Sequence, residues 1–419
     1  MISENAEFWI WITNALGYNT PKVKRINELY TDISQFYEGG EKEWRYSGIL
    51  SANDIIKLRE TDIRSSKRII DRCNQLNYSI ICIDDRSYPN CLKNIYSPPA
   101  VLYVSGKLPD VDNRLVIGIV GTRSASEYGV KNSYQFAYAL SKCGVATVSG
   151  GALGIDCASH RGALAADGVT ICVRGCGINY NYLHENERMR NAITKKGAVI
   201  SEYPPDEAPR NYYFPARNRI IAALSQGILI IESGEKSGSL ITANLALEMG
   251  KEVFALMGNN TPQNRGSNHR IKEGSATPVT DFMDILYAFD NLYITGEDVD
   301  FDSISLADIE AVPVKGRAKV SQQKSQQKLP KRQSKDVQSK STDNTLDNTD
   351  KENKPIHKEN LNLEGDIRKI YEYLSDKPVH IDKIASDLQI PVFKVLSSLS
   401  YLEINDLATA LQGRNFILK

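Results

Sequence analysis

Six short apolar segments, LVIGIVG, ATVSGG, VTICVRG, GAVISEY, GILIIES and EVFALMG, recur between residues 115 and 258 and alternate with stretches of helical periodicity. They are rich in β-branched residues and mostly apolar on both faces, so each must be covered from two sides. Strands of that kind, separated by helices, belong to a parallel sheet with crossover connections. The pattern predicts an α/β chain built on a parallel sheet covered by helices on both faces. Before the core, NAEFWIWITNALG and TPKVKRINELYTDISQFY carry apolar residues at three- and four-residue spacing, and Ser51 caps SANDIIKLR. Two further apolar runs, YSIICI and AVLYV, are split by Pro98 and Pro99, which forbid helix at the junction.

The run from Phe214 to Leu256 adds an anion-binding device: an apolar strand, a Gly/Ser-rich loop (Ser233 to Ser239) and a helix N-terminus. Such a loop brings backbone N–H groups close to a ligand, and the first helical turn offers unpaired donors and positive dipole charge. Ser237, Gly238, Ser239 and Thr242 are its candidate contacts. Arg217 and Arg219 open the segment, with Asn218 between them. On a helix two residues diverge by about 200°, so one arginine is expected to face a phosphate and the other to be structural, paired with a carboxylate such as Glu202. Two more loops follow strands. In Gly121-Thr122-Arg123-Ser124 the glycine permits the turn, the hydroxyls donate and Arg123 makes forked bonds to a phosphate. In Ser149 to Asp156, Gly150, Gly151 and Gly154 imply close backbone approach, Asp156 is expected to cap the next helix, and His160 to be a hydrogen-bonded structural histidine. Neither loop is G-x-G-x-x-G, which disfavours a dinucleotide.

Composition narrows the classes. Lys plus Arg and Asp plus Glu are both 51, so nucleic-acid binding must come from a local patch. Nine Lys/Arg against Asp336 between Lys315 and Lys340, interleaved with Gln and Ser, read chiefly as a solvated linker. The seven cysteines lack CxxC spacing and the five histidines are scattered, so neither a disulfide framework nor a metal site is expected. No run is apolar enough to span a bilayer and no leader pattern opens the chain, which points to a cytoplasmic protein without a membrane role. The last 57 residues read as three helices and a β-ribbon turning at Gly413, the order of a winged helix. The expected division is residues 1–70 helical, 76–290 core, 300–362 disordered basic and polar linker, and 363–419 winged helix.

In order along the chain, GTRSASEYG, VSGGALGIDCASHRGAL, GAVISEYPP, FPARNRIIAALS, SGSLITANLALEMGKEVFAL and GSNHRIKEG resemble the DprA/Smf family of DNA-processing proteins. The resemblance covers residues 76 to 290 closely and both ends more loosely. It implies an extended Rossmann-like core behind a helical domain of the SAM or helix-hairpin-helix kind. It also implies a homodimer that binds and protects single-stranded DNA and loads the RecA recombinase onto it in natural transformation, with no catalytic residues and no cofactor. By motif, Arg123 is the first candidate for a backbone contact, followed by Arg217, Arg219 and Lys272. The family usually has basic residues where Leu153 and His184 stand here, so two cationic contacts are expected to be absent or weakened. A rival reading is a phosphoribohydrolase-like enzyme acting on nucleotides, with Glu232 and Glu248 near the ribose; the P-G-G-x-G-T-x-x-E loop typical of those enzymes is missing.

Overall fold

The β-branched runs join one nine-stranded sheet in the order β1-β2-β6-β5-β4-β3-β7-β8-β9. Its strands are β1 (Ser79–Cys82), β2 (Val101–Gly106), β3 (Val116–Val120), β4 (Ala146–Ser149), β5 (Thr170–Val173), β6 (Ala198–Ser201), β7 (Gly227–Ile230), β8 (Glu252–Leu256) and β9 (Thr277–Val279). The computed structural model describes residues 2–289, 304–310, 365–404, 407–411 and 415–418. Gly413 and the basic stretch from Lys315 to Lys340 lie outside them, as does the rest of the 300–362 linker apart from residues 304–310. From β6 to β9 all neighbours are parallel. The two runs split by Pro98 and Pro99 form an antiparallel edge, β1 on β2 and β2 on β6.

Helices cover both faces of the sheet. They are α1 (Ala6–Leu16), α2 (Lys22–Leu29), α3 (Ile33–Tyr46), α4 (Ala52–Glu60), α5 (Arg64–Gln75), α6 (Asn90–Lys93), α7 (Glu127–Lys142), α8 (Ile155–Ala165), α9 (Glu187–Lys196), α10 (Tyr213–Leu224), α11 (Gly238–Glu248), α12 (Arg265–Lys272) and α13 (Met283–Tyr287). Alternate strand residues point to opposite faces. Ile117, Ile119, Leu229 and Ile231 therefore meet Phe136 and Leu140 of α7 and Ile285 of α13. Val116, Val148, Ile171 and Ile228 face the other way, toward Ile221 and Leu224 of α10 and Ala243 of α11. That second cluster continues into the N-terminal helices through Trp9, Ile12, Ile26 and Phe36.

The N-terminal helices are set by local signals. The run TPKVKRINELYTDISQFY breaks at Tyr30, and Asp32 starts α3 by accepting the Ser34 N–H at 2.9 Å. Ser51 and Asp54 form a reciprocal capping box on α4, and Lys22 pairs with Asp54 at 2.6 Å. All three tryptophans of the chain, Trp9, Trp11 and Trp44, are buried here. Trp11 and Trp44 donate their indole N–H groups to the carbonyls of Thr61 and Phe36 at 2.9 and 2.7 Å.

The chain forms two compact units, residues 1–322 and 323–419. In the second, α14 (Gly365–Tyr373), β10 (Val379–His380), α15 (Ile381–Leu388), α16 (Val392–Ile404), β11 (Ala408–Leu411) and β12 (Asn415–Leu418) make three helices against an antiparallel sheet ordered β10-β12-β11. Ile370, Ile381, Val395, Leu399 and Leu402 fill its core, giving a winged-helix fold.

Candidate nucleic-acid interface

Strands β3, β4 and β5 are neighbours and parallel, so their following loops gather at one edge of the sheet, where ligands of α/β proteins bind. With the first turns of α10 these loops border a small, partly open cavity whose lining includes Arg123, Gly150, Arg174, Tyr182, Phe214 and Arg217. Gly151 and Gly154 hold φ of 67° and 80°, a left-handed backbone that favours glycine. Gly150 serves close approach instead: a side chain there would collide with the Arg217 guanidinium.

Arg217 is 5% exposed and donates through Nη1 to the carbonyls of Gly150, at 2.9 Å, and Val173. Its Nε has no partner. Among the described residues no carboxylate lies within ion-pair distance of Arg217. Burial pulls its ionisation downward, and the charge of Asp156 works against that pull. Arg123 is exposed at the rim, with its guanidinium carbon 5.5 Å from the centre of the Phe214 ring, and Tyr182 lies 5.5 Å from the same ring.

Sequence reasoning missed two arginines here. Arg174, 4% exposed at the end of β5, donates through Nη2 to the Tyr180 carbonyl at 2.9 Å and to the Cys176 Sγ at 3.1 Å, leaving Nε without a partner. Arg190, 9% exposed on α9, donates to the Leu183 carbonyl at 3.0 Å. Burial first, and then the nearby Arg174 charge, lowers the pKa of Arg190. The signal was available for Arg174: a cation ending the apolar strand VTICVRG at its ligand-facing end.

Gly121 stands where a side chain would strike Ile155 and the Glu232 carbonyl. One sequence expectation needs correction. Asp156 does not cap α8, whose N-cap is Gly154; it sits buried in the first turn and accepts the Ala152 N–H at 3.3 Å. Burial raises its carboxyl, with Arg217 the foremost opposing influence. His160 is fully buried on α8, with Nδ1 2.8 Å from the Thr170 hydroxyl.

The remaining candidates are spread more widely. Thr122 accepts the Ser124 N–H at 3.2 Å, which shapes the loop. Arg219 is 5% exposed and turned to other partners, Glu202 at 2.7 Å and the Asn19 side chain at 2.8 Å. Asn218 reaches the Gly238 carbonyl at 3.2 Å. In the α11 loop Ser239 bonds Ser233 and Ser237 at 2.8 and 2.7 Å, and Thr242 is buried, so these residues bond one another and do not line the cavity. His184 is exposed, 2.9 Å from Glu187, and Lys272 is exposed on α12, away from the lining. Glu232 spends both carboxylate oxygens on Ser126, taking its N–H at 2.9 Å and its hydroxyl, and so fixes the start of α7.

The family described as DNA recombination-mediator protein A matches residues 79–290, and the DprA winged helix domain matches residues 358–414. A DNA processing protein DprA of Bacillus subtilis is 40% identical over 191 residues, covering 46% of this chain and 64% of that protein, just under two thirds of its length. A protein Smf of Synechocystis is 30% identical over 352 residues, covering 83% of this chain and 82% of its own. The X-ray structure of DNA processing protein A from Streptococcus pneumoniae superposes with a TM-score of 0.59 at 31% identity, covering 67% of this chain and 97% of that one. An extended Rossmann-like sheet with an arginine-lined cavity at its edge, a winged helix and these matches lead to one conclusion: the chain belongs to the DNA recombination-mediator protein A family.

Proposed function

We propose that the cavity at the ends of β3, β4 and β5 binds the phosphate backbone of single-stranded DNA. The observation that carries this reading is the charge imbalance: Arg123, Arg174 and Arg217 line one cavity, and among the described residues none of them has a carboxylate at ion-pair distance. Arg174 and Arg217 are buried, and buried cations in that state call for an external anion. A flexible strand supplies phosphates without requiring base readout, while Phe214 and Tyr182 offer surfaces on which bases can stack. Arg123, Arg217 and the glycine loops are the contacts proposed first, with His184, Lys272, Asn218 and the α11 loop as outer contributors.

The wider role follows the family: a cytoplasmic homodimer that protects incoming single strands and hands them to the RecA recombinase during natural transformation, without catalysis. Among the described residues no helix is long and apolar enough to cross a membrane. The enzyme alternative has less support, because both oxygens of Glu232 are engaged by Ser126. The four-part division into residues 1–70, 76–290, 300–362 and 363–419 is kept as a proposal, to be tested by limited proteolysis.

The direct test is Arg123→Ala in a mobility-shift series with single- and double-stranded DNA. Affinity for single strands should fall several-fold with a shallower salt dependence, while the thermal midpoint stays nearly constant, because the side chain is exposed. Unchanged binding would remove the cavity from the reading.

A further inference from the structure

We propose that the inner cavity is a subsite for a terminal phosphate monoester of the strand, and that Arg174, backed by Arg190, selects it over the internal diester. This rests on the cavity binding single-stranded DNA, and specifies which phosphate enters deepest. The guanidiniums of Arg174 and Arg217 line the cavity, that of Arg190 stands behind the lining within reach of the Arg174 charge, and all three are at least nine-tenths buried. Guanidinium stays charged in proteins, so the cluster brings three positive charges into a poorly solvated region.

The protein neutralises little of that charge. Arg217 and Arg174 spend hydrogen bonds on neutral carbonyls and a thiol sulfur, and the Nε of each is buried without an acceptor. Arg190 likewise bonds a carbonyl. Asp156, buried in the first turn of α8, acts on Arg217 through its charge but makes no ion pair with it. Glu187, the other acid acting on Arg190, is exposed and engaged by His184.

An internal phosphodiester carries one negative charge and two unesterified oxygens. A phosphomonoester carries close to two charges at neutral pH and presents three strong acceptor oxygens. The monoester therefore matches both the excess charge and the open donors better, and forked arginine contacts sharpen the distinction. The expected positions for cation contacts near Leu153 and His184 are filled here by an apolar and an exposed, acid-paired side chain. Arg174 and Arg217 place charge in the buried part of the lining instead.

The test compares short oligothymidine strands ending in a 5′-phosphate, a 3′-phosphate or hydroxyls only, titrated against the full chain by fluorescence anisotropy, with thymidine monophosphate as competitor. Binding at least tenfold tighter to one phosphate-ended strand than to the hydroxyl-ended strand is expected, with the difference erased by Arg174→Met and partly kept by Arg174→Lys. Arg190→Met should reduce the preference if Arg174→Met fails to fold. Equal affinity for all three strands overturns the inference and leaves the single-strand reading intact. Loss of binding to every strand overturns both. Tight binding of the free nucleotide with no discrimination among strands assigns the subsite to a nucleotide and also overturns it.

Discussion

Arg217 and Arg219 are two residues apart on α10 and equally buried, yet their surroundings are opposite in kind. Arg219 has an internal counter-ion, Glu202 at 2.7 Å, and an amide oxygen from Asn19 at 2.8 Å. Arg217 has two carbonyls, an idle Nε and a cavity beside it. Charge compensation within the protein marks an arginine that holds the fold. An arginine without that compensation is the one proposed to bind an outside anion. The helix geometry alone splits the pair, since residues two apart face different sides.

Arg219→Ala should break this comparison most forcefully. It strands the buried Glu202 carboxylate, a loss of about 3–5 kcal/mol for a buried pair, readable as a lower urea midpoint, while the folded fraction keeps its DNA affinity. Next comes acid. His160 is fully buried and its pKa is lowered to about 3, first by burial and then by the Arg217 charge. The unfolded chain then binds more protons than the native one between roughly pH 3 and 6.5, so stability rises with pH across that window and is lost on acidification. Roughly 3 kcal/mol should disappear between pH 6.5 and 4, and a pH series of midpoints on His160→Gln should be flatter.

Arg217→Gln is the sharper counterpart to Arg219→Ala. Single-strand affinity should fall at least about tenfold, near 1.4 kcal/mol, with the salt slope reduced by about 1, and the stability loss should be the smaller of the two. A reversed order would exchange the roles assigned to these arginines. The smallest effect is expected from His184→Lys, which adds an exposed charge at the cavity rim; a gain of about two- to fivefold would place the strand across that loop, since an exposed charge contributes modestly, and no change in a salt titration would take His184 out of the path.

The sheet was legible because its strands are short, β-branched and separated by helical periodicity, and because ligand loops follow strands in such folds. The direction of β1 and β2 was not, since pairing partners are far apart in sequence. Arg123 was found from its loop. Arg174 and Arg190 were missed because an arginine after a buried strand and another on the next helix look unrelated until α9 packs beside β5. Gly121 was identified in its loop, but its second requirement was not legible, because the Ile155 side chain and Glu232 carbonyl that crowd it come from distant segments.

The three tryptophans, all on α1 and α3, give the protein a built-in optical asymmetry. Near 295 nm (about the red edge of tyrosine absorption) the emission comes from the first helices alone, and the arginine-lined cavity contributes no indole. Intrinsic fluorescence will thus follow the loosening of the amino-terminal helices while staying nearly silent on strand binding. Any change in that emission when DNA is added would report a signal carried through the shared core and through Tyr18, which packs on Tyr213 at the start of α10.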